Sequence, residues 1–191
     1  MTTMFGQTWL TTRGVTGGLL LTSNALVVVG ILMFIFRVFL HAPFGARPDY
    51  YQWERGLIVS GYLVMALGLA GLSSLMRQAG DPLLSDLGLT AFIMGAVVVT
   101  VVEVSWLTKA GLPDGLTGAL VRIFVVLTFL AHAAYGAAML ETGLLPGWLG
   151  WTTIIWNIGW LLVLVRASDP YYPVLNLELP LLAGLLLLAM R

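Results

Sequence analysis

The stretch that decides the fold is "GAVVVTVVEVSWL", residues 95–107, in which Glu103 is the sole ionisable side chain. A run this apolar cannot face water along its length. It continues the segment from Leu83 to Leu107, long enough to cross the roughly 30 Å hydrocarbon core of a bilayer as a helix. The whole chain has the same character. Of 191 residues, 59% are hydrophobic and only 9% charged, and the mean hydropathy is +0.96. Soluble domains carry about 25% charged residues, so the solvent for most of this surface is lipid.

Working outward, six segments reach spanning length: 15–40, 57–75, 83–107, 116–140, 148–165 and 174–190. Backbone polar groups in lipid must be paired within a helix or a closed barrel. These runs are apolar all round rather than alternating, so they predict helices. The connections "HAPFGARPD", "RQAGDPLLSD", "KAGLPDG", "ETGLLPG" and "RASDPYYP" are short and rich in Pro and Gly, as turns between helices should be. The expectation is an all-α polytopic membrane bundle, a single domain over 1–191, with six transmembrane helices in antiparallel up-down order. No soluble domain is expected. The apolar run near the N-terminus is too long for a signal-peptide core and is read as a retained span.

Six crossings place both termini on one face with the second and fourth loops. Arg37, Arg47, Arg55, Lys109, Arg122 and Arg166 lie near the opposite face, against Arg13, Arg77 and Arg191 near the first. The positive-inside rule then puts both termini outside. Trp53, Trp106, Tyr171 and Tyr172 mark one boundary, and Trp9, Trp148 and Trp151 the other. An internal echo links residues 76–89 with 139–151: each has Met, Gly four residues on, and Leu-Gly before the next helix.

Charges balance at nine basic and nine acidic residues, which leaves no electrostatic case for nucleic acid. The absence of cysteine excludes thiolate chemistry and Cys-ligated metals. No Gly-rich phosphate loop, HExxH or GxSxG occurs, and no metal site or cofactor is expected. Haem would need a second imidazole level with His132, whereas His41 belongs to the interface. A retinal Schiff base would need a buried lysine, and Lys109 is in a loop.

Charged side chains at membrane depth cost about 2.5–3.5 kcal/mol each, so they face the interior and pair. Glu103 lies roughly 6 Å inside the end of the third span, and Arg122 roughly 9 Å inside the start of the fourth. A Glu103–Arg122 pair is therefore expected, with Arg37, Glu178 and Asn176 in the same layer. That layer is either a structural cluster or the polar end of a ligand cavity. Nearer the midplane lie Asn24, His132 and Asn157, with Trp156 and Trp160 sharing one helical face. His132 reads first as an interhelical hydrogen-bonding group, and the Trp pair first as packing or lipid contact, second as a pocket wall.

The pattern "YYQWERG…SGYLVMALGLAGL" followed by "LETGLLPGWLGW" resembles small multi-pass bacterial inner-membrane proteins of unassigned activity. The resemblance covers most of the chain. It implies a bacterial plasma-membrane location and carries no catalytic residue over. Three functions stay open: an accessory subunit packing against other membrane chains, a binding protein or enzyme for a lipophilic molecule (lipid, quinone or terpenoid), and a transporter. They are ranked in that order, and only the bilayer is a certain partner on composition.

Overall fold

A computed structural model describes residues 12–81, 83–108, 111–168 and 170–190, with residues 44, 46, 48 and 114 described by backbone alone. Trp9, Lys109 and Arg191, used above to place boundaries and charge, lie outside the described residues. The elements are α1 (Thr12–Val38), α2 (Pro48–Gln78), α3 (Leu84–Leu107), α4 (Asp114–Thr142), α5 (Gly147–Leu164) and α6 (Glu178–Ala189). Short 3₁₀ turns at Pro43–Ala46 and Pro173–Asn176 precede α2 and α6, and no strand occurs among the described residues. Five helices, α1 to α5, are long and apolar enough to cross a membrane, the signature of an integral membrane protein.

Two expected boundaries need correction. The second span, expected from Leu57, belongs to a helix that begins at Pro48 and takes in the "YYQWERG" run. Charged residues there looked like a loop because hydropathy marks where lipid begins, not where a helix begins. The sixth, expected over 174–190, is a 3₁₀ turn followed by a helix of only 12 residues.

The helix ends follow local chemistry. The Asp81 carboxylate accepts hydrogen bonds from the backbone N–H groups of Leu83, Leu84 and Ser85 at 3.1, 2.9 and 2.7 Å, satisfying donors that the first turn of α3 leaves unpaired. Burial works against the charge of Asp81, yet these hydrogen bonds outweigh it and hold its carboxyl below the usual range. At the end of α4, Gly143 takes the left-handed conformation (φ 60°) and donates to Met139 O at 3.0 Å. Gly80 (φ 107°) occupies the matching place after α2. The echo between 76–89 and 139–151 thus corresponds to two helix ends of similar form, with Met76 and Met139 both fully buried.

Neighbouring helices pack through small residues. Gly30, Gly61, Gly68 and Gly71 set α1 and α2 in close contact, pairing the start of one helix with the end of the other. At Gly136 and Gly150 the α4 and α5 backbones approach so closely that a Cβ on either would lie 2.8 Å from the other's carbonyl oxygen. The bundle closes as a ring. α1 packs on α2 and α6, α2 on α3, α3 on α4 and α4 on α5, whereas α5 and α6 touch sparingly. Tyr62, Phe92, Phe124, Phe129 and Tyr135 fill its centre. Tyr135 donates to Leu69 O at 2.9 Å and meets Ser73 Oγ at 2.8 Å, tying α4 to α2 through polar contacts.

Candidate functional site

Four charged side chains and one phenol form a continuous chain at one end of the ring. Glu54, on α2, accepts a forked pair of hydrogen bonds from Arg37 of α1, Nε to Oε2 at 2.6 Å and Nη2 to Oε1 at 2.7 Å. The neighbouring Arg55 places its Nε 3.2 Å from Glu54 Oε1 and donates from Nη1 to both oxygens of Glu103 on α3, at 3.1 and 3.3 Å. Tyr171, in the segment between α5 and α6, donates to Glu103 Oε1 at 2.5 Å. Burial first, and then the Glu103 carboxylate, hold the Tyr171 phenol well above its ordinary range, so it stays a donor. Two guanidinium groups and two carboxylates leave the chain neutral. Fork geometry and delocalised charge suit arginine to such buried pairs.

Aromatic rings line this chain. The Arg55 guanidinium carbon lies 4.8 Å from the Trp106 ring centre, 5.4 Å from Tyr51 and 5.7 Å from Phe34, within cation–π range. Arg37 lies 4.8 Å from Tyr51. A cavity of about 240 Å³ opens against this cage, walled by Ile31, Phe34, Ile58 and Trp106, with Arg55 and Tyr171 as its polar members. Trp106 and Tyr171 stand edge to face, 6.1 Å apart. They also wall a second cavity of about 270 Å³, which reaches Thr117, Arg122 and Ser168.

The expected Glu103–Arg122 pair does not form. Glu103 is fully buried and turns toward α2, whereas Arg122 is exposed and faces the second cavity. Adjacent helices do share depth, but the rotation of each about its axis decides which side chains meet. The expected layer also divides in two. Arg37 and Glu103 join the chain just described, while Glu178 and Asn176 belong to a different group.

That group lies where α4, α5 and the start of α6 converge. Asn157 Nδ2 donates to Glu178 Oε1 at 2.5 Å and to Thr153 O at 2.8 Å. His132 is fully buried and stacks on Phe92, ring centres 5.8 Å apart. Its Nδ1 lies 3.8 Å from Glu178 Oε1. Asn176 Nδ2 reaches Tyr62 Oη at 3.4 Å. Asn24, expected alongside His132, turns its Nδ2 back to Leu20 O within its own helix. Trp156 and Trp160 meet edge to face at 5.8 Å on the outer side of α5, around a shallow groove with Gly159 at its base. Trp156 Nε1 donates to Leu175 O at 3.0 Å, a strut across the sparse α5–α6 seam.

Sequence reasoning missed Glu54, Tyr171 and Tyr62 as site residues, and assigned Arg55 only to the boundary charge. The available signal was the adjacent acid–base pair of "YYQWERG", which a helix starting at Pro48 carries inward. Comparison with protein-family models, with curated proteins and with solved structures gives no match for this chain.

Proposed function

We propose that this chain is an integral membrane binding protein for a neutral, lipophilic small molecule, whose polar head sits in the cavity beside Arg55 and Tyr171. The observation that supports this most directly is that cavity: mostly apolar and aromatic walls meeting a guanidinium group already neutralised by carboxylates. Ligand sites commonly combine apolar walls with a few convergent polar groups. Its volume is below the roughly 300–1,000 Å³ of pockets that enclose whole ligands, so it suits a head group whose tail remains in lipid. A neutral head such as a quinone or terpenoid carbonyl, or a lipid hydroxyl, leaves the charge balance of the chain intact.

The reading includes six crossings in up-down order. The 3₁₀ turn and α6 together supply roughly 26 Å at 2.0 and 1.5 Å per residue, close to the hydrocarbon thickness. The excess of basic residues at the Arg37–Arg55 end makes that end cytoplasmic and the termini external, in a bacterial plasma membrane. An accessory-subunit role has less support. Exposed apolar residues such as Val28, Leu67, Val97, Ile123, Leu162 and Leu185 occur on all six helices, as contact with lipid requires, and single out no docking face.

Native mass spectrometry of protein released from gentle detergent or nanodiscs tests the reading. A small lipophilic molecule should leave with the native protein and be lost from Ile58→Trp, which fills the cavity while leaving every member of the charged chain unsubstituted. Native protein carrying no small molecule, or Ile58→Trp retaining it in full, would overturn the proposal.

A further inference from the structure

Glu178, largely but not fully buried, differs from Glu54 and Glu103 in having no guanidinium or ammonium partner among the described residues. Glu54 and Glu103 each meet arginine, whereas the one basic group within 4 Å of Glu178 among the described residues is His132. Several polar atoms in this group are also buried without a well-formed hydrogen bond: both ring nitrogens of His132, Asn157 Oδ1, Asn176 Oδ1 and Glu178 Oε2. Each such atom costs about 1–3 kcal/mol when left unpaired. An uncompensated carboxylate costs far more, and in practice such groups take up a charge or give up their own. Phe92 stacks on one face of the imidazole, and Asn157 fixes one oxygen of the carboxylate. The arrangement holds more acceptors than donors, and a proton on the carboxylate or the imidazole would reduce that imbalance.

We propose that His132, Asn157 and Glu178 form an interior proton-binding site, separate from the Arg37–Tyr171 chain, which takes up and releases one proton. The Nδ1–Oε1 separation of 3.8 Å is too long for a direct hydrogen bond. It is short enough for a proton on either group to be stabilised by the other. A metal ion fits less well. Hard cations prefer a shell of oxygens, and zinc-type metals need three or more protein ligands. No group of three His, Cys, Asp or Glu that could hold a metal occurs among the described residues. Asn157 acts as a positioning residue: its amide holds Oε1 and leaves Oε2 to carry the proton. The titratable group facing the site from α2 is Tyr62, through Asn176, with Phe92 facing it from α3. Glu103 and Tyr171 pair with each other on the far side of Phe124, which lies 5.2 Å from Tyr62 and 6.0 Å from Tyr171. The Glu178 side chain retains 14% exposure, and the residue begins α6, which touches α5 only sparingly. The proposal is independent of what occupies the Arg55 cavity.

Infrared difference spectroscopy of the full chain in nanodiscs, titrated between about pH 5 and 9, tests the site. The native protein should show a protonated-carboxyl stretch that changes with pH and shifts in D₂O. The band should vanish in Glu178→Gln and persist in Glu103→Gln. Its midpoint should move by about one pH unit or more in His132→Gln. A band absent from the native protein throughout, or unchanged in Glu178→Gln, would overturn the proposal. So would a band governed by added sodium rather than by pH. If Glu178→Gln does not fold, the imidazole ¹⁵N resonances of the native protein supply the reading. His132 must respond with the midpoint of the carboxyl band, and a His132 signal indifferent to pH overturns the site.

Discussion

Arg55 and Glu103, 48 residues apart in the chain, meet at 3.1 Å and join α2 to α3 through a charged contact inside the bundle. Arg55 is held at the same time by Glu54, so each guanidinium and each carboxylate in this chain has an opposite charge beside it. Its stability therefore rests on completeness: removing one member strands another in an apolar surrounding.

Glu103→Gln should lower the melting temperature of the detergent-solubilised protein. Breaking a buried pair costs about 3–5 kcal/mol, and the loss should fall near the lower end because Arg55 keeps Glu54. A variant melting like the native protein would show that the contact contributes nothing to the fold.

Glu54→Gln should be more damaging than Glu103→Gln, since Arg37 and Arg55 both lose their shared carboxylate. Arg37→Lys should be the mildest of the three. An ammonium group cannot reproduce the fork, but the Arg37 side chain is 25% exposed and water compensates in part. Chemical denaturation of the three variants side by side checks the order.

Gly61→Ala should destabilise the α1–α2 contact by about 1–3 kcal/mol, because the new Cβ would lie 3.1 Å from Ser23 O and Val27 N, both backbone atoms. Gly18→Ala provides the contrast. Nothing lies within 4 Å of that position, and alanine in a helix interior should be neutral or stabilising by up to about 1 kcal/mol. Equal effects of the two substitutions would refute close packing at Gly61.

Asp81 gives the α2–α3 turn a defined pH dependence. Its folded pKa is depressed, so its stabilisation is fully present above the unfolded carboxyl value of about 3.9 and fades as pH falls through the lower folded value. Hydrogen exchange at Leu84 and Ser85 should accelerate, relative to intrinsic rates, on acidification below about pH 4. Asp81→Ala should cost about 1 kcal/mol, the usual effect of losing a helix cap, and abolish that pH response.

Much of the fold was legible because a bilayer imposes one strong rule on sequence: long apolar segments become helices, and Pro and Gly mark where they stop. Helices α1, α3, α4 and α5 fall close to their expected limits for that reason. The rule is silent about charged residues at helix ends, which hid the first turns of α2. It also gives no hint that the last segment begins as a 3₁₀ turn. For the site, position along the apolar runs singled out Glu103, His132 and Glu178, and the bundle buries the first two fully and Glu178 in large part. Partners were not readable. The sequence makes Arg122 the nearest arginine beyond the α3–α4 turn, yet it is Arg55, on the preceding helix, that reaches Glu103.

Composition and hydropathy by themselves determined that this chain is a set of apolar helices with few, costly charges among them, because one-dimensional patterns report solvent and length. Tertiary structure alone decided which of those charges neutralise one another. Helix rotation and the α2–α3 packing gave Glu103 to Arg55, and the path of the chain between α5 and α6 brought Tyr171 to one group and Glu178 to the other. Those contacts depend on azimuth around each helix axis, a quantity that helices apolar on every face do not write into their sequence.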